Sequence, residues 1–235
     1  MTPFVVRASA RASRRAFTLV EVLVTLGIIT MLMGLLFVGL RGATEIGRAT
    51  ACLNNMRNIG AAVLTYANVH DGELPISSHT TGSLTAPSAW LQTLAPLGAA
   101  GSVLWCPSDP FCEQRLTSYA MNDYLEPLTP GIDFDPISGA TLPGGRTNAI
   151  TKLHVVPSPT ATILFVETRG TGVLDHIHAV GWTSADQIGA WVATTRHQDG
   201  ANYLFVDGHA AAVPWNRLKS GFTVETSVFN PETAN

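Results

Sequence analysis

The sequence predicts an α+β chain: one long N-terminal helix, apolar in its first half and amphipathic in its second, followed by a head with an antiparallel β-sheet. Three observations predict it. Between residues 17 and 40 the only ionisable residue is Glu21. Beyond Leu40 apolar residues continue at three- and four-residue spacing, and the strand-like segments all come late in the chain. Helix first and strands after favours segregated α and β parts over alternating βαβ units.

Residues 1–16 carry Arg7, Arg11, Arg14 and Arg15 and no acid. The apolar run that follows, about 24 residues, reaches roughly 36 Å as a helix against a hydrocarbon core of about 30 Å. It is long enough to span a bilayer. Basic residues on its N-terminal side predict a single pass through the cytoplasmic (inner) membrane, with the N-terminus inside and the head on the periplasmic, extracytoplasmic side. A secretory signal has an apolar core of about 7–15 residues ending in a small-x-small site, and this run is longer. A plain uncleaved anchor fits the length and charge but gives Glu21 no purpose. An acid at a bilayer centre costs about 2.5–3.5 kcal/mol and less near the interface, so an acid at the fifth position of the run points to a partner.

The helix continues with Ile46, Leu53, Met56, Ile59, Val63 and Tyr66 recurring among Asn54, Asn55, Arg57 and Asn58, an amphipathic pattern. Gly42, Gly47 and Gly60 weaken it locally, and His70-Asp71-Gly72-Glu73-Leu74-Pro75 ends it. The organisation predicted is a leader (1–16), an apolar span (17–40), an amphipathic continuation (41–68) and a head (69–235). Within the head, Ser88 is placed to cap a short helix through Leu94, stopped by Pro96. Residues 126–148 are rich in proline and glycine without apolar periodicity and read as an irregular insertion. Strands are predicted at 161–166, 176–181, 190–195, 202–206 and 209–213.

Length leaves room for one anchor and one domain of about 165 residues, enough to bury a core. Removing the leader's four arginines moves the formal net charge from −3 to −7, which disfavours a nucleic-acid partner. The predicted topology puts Cys52, Cys106 and Cys112 in an oxidising space. Cys106 and Cys112, in Cys-Pro-Ser-Asp-Pro-Phe-Cys, are the pair expected to bond, with the geometry of that two-proline loop left open. Cys52, in the helical pattern, is expected to pack as a small apolar residue.

His197, Asp199, Asp207 and His209 are the right types for metal ligation or acid-base work. However, Asp207-Gly208 between two apolar strands reads as a two-residue hairpin turn, which leaves His209 no ligand role. His176 and His178 share one face of a strand and could form half of a metal site with Asp175 or Glu167, although exposed polar strand positions look the same. Asp133 and Asp135 beside Gly131 offer oxygens without the spacing of a recognised calcium loop. There is no Gly-x-Ser-x-Gly, phosphate-binding glycine loop or His-Glu-x-x-His zinc helix. The five tryptophans fit core and rim packing. The expectation is therefore no catalytic residue, no metal, no cofactor and no enzymatic activity.

Arg15-Ala16 followed by Phe17-Thr18-Leu19-Val20-Glu21 resembles the signature of the type IV prepilin family, with Ala16 where the family most often has Gly. The resemblance implies cleavage between Ala16 and Phe17 by a prepilin peptidase and N-methylation of Phe17. It also implies that Glu21 meets a neighbouring subunit's N-terminal amine. Cys52-Leu53-Asn54-Asn55-Met56-Arg57-Asn58-Ile59-Gly60, then Tyr66-Ala67 and Asp71-Gly72-Glu73-Leu74-Pro75, resembles the helix exit of type II secretion pseudopilin-like proteins. Trp105-Cys106-Pro107-Ser108-Asp109 and Ser118-Tyr119-Ala120-Met121-Asn122 resemble their middle segment. His197, nine residues, then Asp207-Gly208 is similar to the prepilin-type processing-associated group, and implies a structural turn motif of His197, Asp207 and Gly208. Together these imply a pilin-like fold and a pseudopilin or minor-pilin-like subunit of a type IV pilus or type II secretion-like filament. The partners implied are prepilin peptidase, other pilin-like subunits and the membrane. The alternative is a membrane-tethered surface-binding module not assembled into a filament.

Overall fold

A computed structural model describes residues 17–126, 150–172, 175–179, 182, 184–222 and 227–234. The leader with Ala16, the stretch with Gly131, Asp133 and Asp135, and the expected strand end at 180–181 lie outside the described residues. The chain forms two compact units, Met1–Thr44 and Glu45–Asn235.

The helices are α1 (Leu19–Val69), α2 (Ser78–Thr81), α3 (Trp90–Thr93), α4 (Ala185–Trp191) and α5 (Trp215–Ser220). The strands are β1 (Tyr119–Asn122), β2 (Ile163–Glu167), β3 (His176–Ile177), β4 (Gly200–Phe205) and β5 (Ala210–Pro214). They form one sheet in the order β3-β1-β2-β4-β5. Every pairing is antiparallel except β1 with β3, which is parallel. The fold is α+β, a long N-terminal helix followed by a head with a mostly antiparallel sheet.

In the first unit, residues 17–37 are all exposed, and the helix is long and apolar enough to cross a membrane. In the second unit, α1 behaves as a core helix. Cys52, Met56, Ile59 and Val63, spaced four, three and four apart, are almost wholly buried, the stripe expected of one helical face. They join Trp90, Tyr119, Met121, Phe165 and Leu204 in one core. A second core on the other face of the sheet gathers Ala120, Ile163, Val166, Ile177 and Tyr203 with Ile188 of α4, Leu218 of α5 and Phe229. Alternation sorts the strand residues between the two cores, with one interruption. Leu164 and Phe165 both belong to the α1 core because the register of β2 shifts between Ile163 and Phe165, the signature of a β-bulge.

The expected strand at 190–195 is instead the end of α4 followed by an extended stretch that bridges Val192 to Thr168. Ser184 and Gln187 form a capping box, with the Gln187 side-chain oxygen accepting the Ser184 N–H at 3.0 Å. That local start signal outweighs the β-propensity of the residues after it. The short helix α3 is capped at Ala89 rather than Ser88, without a side-chain bond. Strand β1 was not expected. All four of its residues are buried, so no polar-apolar alternation marks it.

The β4–β5 connection differs from the two-residue turn expected. Phe205 N–H donates to the His209 carbonyl at 2.9 Å and Gly208 N–H to the Phe205 carbonyl at 2.9 Å, and Gly208 has φ +87°. This is a three-residue loop, a tight turn closed by a left-handed glycine. A Cβ at Gly208 would stand 2.5 Å from Cδ1 of Leu64, and one at Gly60 would stand 2.8 Å from the Gly208 carbonyl oxygen. The two glycines let α1 and the hairpin tip touch. Gly208→Val is expected to destabilise the protein by about 2–4 kcal/mol through strained φ and overpacking, read as a lower urea midpoint for the full chain in detergent.

Candidate functional site

The N-terminal end of α1 is a capping box. Thr18 N–H donates to Glu21 Oε2 at 2.9 Å, Thr18 Oγ1 to the same oxygen at 2.8 Å, and Glu21 N–H to Thr18 Oγ1 at 3.3 Å. Thr-x-x-Glu ahead of an apolar run satisfies two helix N–H groups that otherwise lack partners. The same spacing was visible in the sequence, where Glu21 was read only as an acid awaiting another chain. Phe17 precedes the cap and is 82% exposed.

In the head, the nine residues between His197 and Asp207 acquire a structural meaning. His197 Nε2 stands 2.9 Å from Glu167 Oε1 on β2, and Glu167 Oε2 accepts the Asn202 N–H at 3.0 Å. Glu167 is fully buried. His197 and Gly200 exchange backbone hydrogen bonds through a tight turn in which Gln198 has φ +62°. At the other end Asp207 Oδ1 accepts the His209 N–H at 3.0 Å and faces His209 Nδ1 at 2.6 Å. The spacing is thus one strand, β4, held at its start by His197 on β2 and at its end by Gly208 on α1.

The disulfide joins Cys52 to Cys106, with Cα atoms 4.8 Å apart, and Cys112 is a free thiol. This corrects the expected Cys106–Cys112 bond. Asp109 N–H bonds to the Cys106 carbonyl and Cys112 N–H to the Asp109 carbonyl. These successive turns carry Cys112 into a surface 3₁₀ turn while Cys106 stays in the core. The buried stripe of α1 supplies Cys52 instead.

Residues 11–37 match the family model of the prokaryotic N-terminal methylation motif. This is the prepilin-type signal of pilins and pseudopilins. No curated protein and no solved structure matches the chain. The motif supports a prepilin-type substrate, and the apolar helix it opens is long enough to cross a membrane.

Further polar centres lie within the head. Asp109 Oδ2 lies 3.4 Å from Arg115 Nη1 and Oδ1 lies 3.3 Å from Arg196 Nη2, with Asp109 and Arg115 side chains fully buried. Arg196 also donates to the Thr168 carbonyl at 2.6 Å, and Arg115 to the Thr168 hydroxyl. Burial draws the Arg115 guanidinium below the ordinary arginine value, against the pull of Asp109. Trp90 and Trp182 are buried, Trp105 is exposed, and Trp191 and Trp215 lie between.

His176 and His178 are neighbours, as their spacing suggested. Of the two carboxylates considered with them, Asp175 contacts His176, whereas Glu167 is engaged by His197. His79 joins them from α2, an approach that no local spacing announces. Burial lowers the pKa of His176 and its hydrogen bond to the Asp175 carboxylate raises it, and the result lies above the ordinary value. Burial pushes the Glu126 carboxyl up. Cys52, Cys106, Glu167 and His197 also cluster, but the disulfide occupies both sulfurs.

Proposed function

We propose that the chain is a membrane-anchored pseudopilin or minor-pilin-like structural subunit, cleaved between Ala16 and Phe17 by a prepilin peptidase and methylated on Phe17. It assembles with other pilin-like subunits into a type IV pilus or type II secretion-like filament, its head on the extracytoplasmic side of a single span. The observation that carries this reading is the methylation motif over residues 11–37, running directly into an exposed apolar helix.

The capping box sharpens the role of Glu21. Its carboxylate is hydrogen-bonded to Thr18 yet, among the described residues, has no cation paired with it at the mouth of an apolar segment. Pairing with the N-terminal amine of a neighbour removes that penalty on assembly and so selects one axial register. Glu21→Gln separates the two roles, because Gln retains the capping box and loses the charge. The variant is expected to fractionate with membranes normally while its crosslinking to pilin-like subunits falls at least about tenfold, the factor that corresponds to about 1.4 kcal/mol. Undiminished crosslinking would remove Glu21 from assembly. Mass spectrometry of the mature chain should show N-methylated Phe17 at its start; an intact leader would return the protein to a simple anchored head.

A further inference from the structure

Three imidazoles converge in the head. His79 comes from α2, His176 from β3, and His178 follows two residues later, on the face opposite the buried Ile177. Their ring centroids form a near-equilateral triangle with sides of 4.8, 5.1 and 5.3 Å. One ring nitrogen from each lies within 4.8 Å of the others. Nε2 of His176 and Nε2 of His178 are 3.2 Å apart. Two nitrogens bound at about 2.0–2.1 Å to a tetrahedral zinc stand about 3.3–3.4 Å apart.

The carboxylates beside these rings favour one tautomer of each. His176 Nδ1 is 2.9 Å from Asp175 Oδ1, and the second Asp175 oxygen is held by the Ser78 N–H at 2.8 Å. His178 Nδ1 faces Asp123 Oδ2 at 3.6 Å, while Asp123 Oδ1 accepts the Ala179 N–H at 2.9 Å. An ionised carboxylate only accepts, so it favours a proton on the Nδ1 atom facing it. With both rings protonated on Nδ1, the two Nε2 atoms 3.2 Å apart present lone pairs to one another, an arrangement that a cation between them satisfies. A proton can bridge two nitrogens; a third convergent imidazole is the geometry of a metal. Carboxylates oriented on the far side of ligand histidines are the usual support of such sites. Asp175 and Asp123 stand beside the Nδ1 atoms of His176 and His178, away from the facing Nε2 atoms.

We propose that His79, His176 and His178 bind a divalent transition metal, zinc being the best fit to three imidazoles, with Asp175 and Asp123 as positioning residues. The metal clasps α2 to β3, the edge strand of the sheet, and leaves a fourth coordination position that these three side chains do not fill. Neutral nitrogen donors select against magnesium and calcium, which take oxygen ligands.

The test is zinc content by elemental mass spectrometry of the full-length chain in detergent, without a histidine tag, stripped with chelator and dialysed against zinc. One zinc per chain is expected. His79→Ala, His176→Ala and His178→Ala should each lose it, and His209→Ala, altering an exposed hairpin histidine, should keep it. Asp123→Asn keeps all three ligands and should weaken binding about 10- to 100-fold. Cobalt in place of zinc should show the visible absorption of a tetrahedral ion, absent from His178→Gln, whose fold is checked independently by its intact Cys52–Cys106 bond. Zinc retention no greater than in the variant lacking all three histidines would overturn the proposal. So would equal retention in the wild type and in that variant.

Discussion

Asp109→Ala is expected to destabilise the head by about 3–5 kcal/mol, a large part of the 5–15 kcal/mol that holds an ordinary domain together. Asp109 is, among the described residues, the carboxylate paired with both Arg115 and Arg196. Its removal leaves two guanidinium groups facing each other, one of them fully buried, with only the oxygens of Thr168 to receive them. Among the described residues, Arg115 Nε and Nη2 and Arg196 Nη1 have no hydrogen-bond partner, so the described network offers no spare acceptors to absorb the loss. The loop also loses the Asp109 Oδ1 bond to the Phe111 N–H at 3.1 Å. Arg115→Met keeps the Asp109–Arg196 pair and replaces a buried charge by an apolar chain of similar reach, so it should cost clearly less. Denaturant unfolding of the full chain in detergent, followed by tryptophan fluorescence, reads both variants. Equal losses would show that packing, not uncompensated charge, sets the cost.

The parts of this fold legible in the sequence are those whose cause is local. The first half of α1 follows from an apolar run with one ionisable residue, and its second half from a three- and four-residue repeat. The connection of β4 to β5 follows from Asp207-Gly208, although the loop has three residues because Gly208, not the Asp-Gly pair, takes the left-handed turn. Strand β1 escaped because burial on both faces erases alternation. The capping box at Ser184 is a local signal that starts α4 and carries the helix into the segment where a strand is expected at 190–195. The Thr18–Glu21 box is likewise local, a Thr-x-x-Glu spacing whose acid serves the helix N-terminus as well as any partner.

The candidate sites divide the same way. The methylation motif is contiguous, so residues 17–21 could be named from sequence. The Asp109 network draws on segments around residues 109, 115, 168 and 196, and the histidine cluster on residues 79, 176 and 178. These segments are distant in sequence, and the sheet order brings them together. His176 and His178 could be paired by strand spacing; His79, almost a hundred residues earlier, could not.

Breaking the Cys52–Cys106 bond is expected to cost about 4 kcal/mol in the loop-entropy account, since the bond closes a loop of 54 residues. That loop contains the end of α1, α2 and α3, so the bond fixes the part of α1 from Glu45 onward to the polypeptide that builds the first core. Cys52→Ser and Cys106→Ser should each lower the unfolding midpoint by the same amount as reductant lowers that of the wild type. Cys112→Ser should change it little. Peptide mapping under non-reducing conditions should link the segment around Cys52 to that around Cys106; a link between Cys106 and Cys112 would restore the pairing suggested by their short spacing. The same experiment bears on topology, because a cytoplasmic head would be kept reduced whereas one beyond the membrane would oxidise. Chain recovered from cells with thiols trapped at lysis should therefore carry the bond if the four arginines of the leader hold the N-terminus inside. Fully reduced Cys52 and Cys106 in that sample would place the head on the wrong side for assembly with extracytoplasmic partners, and the proposed subunit would lose its topology before its partners were ever sought.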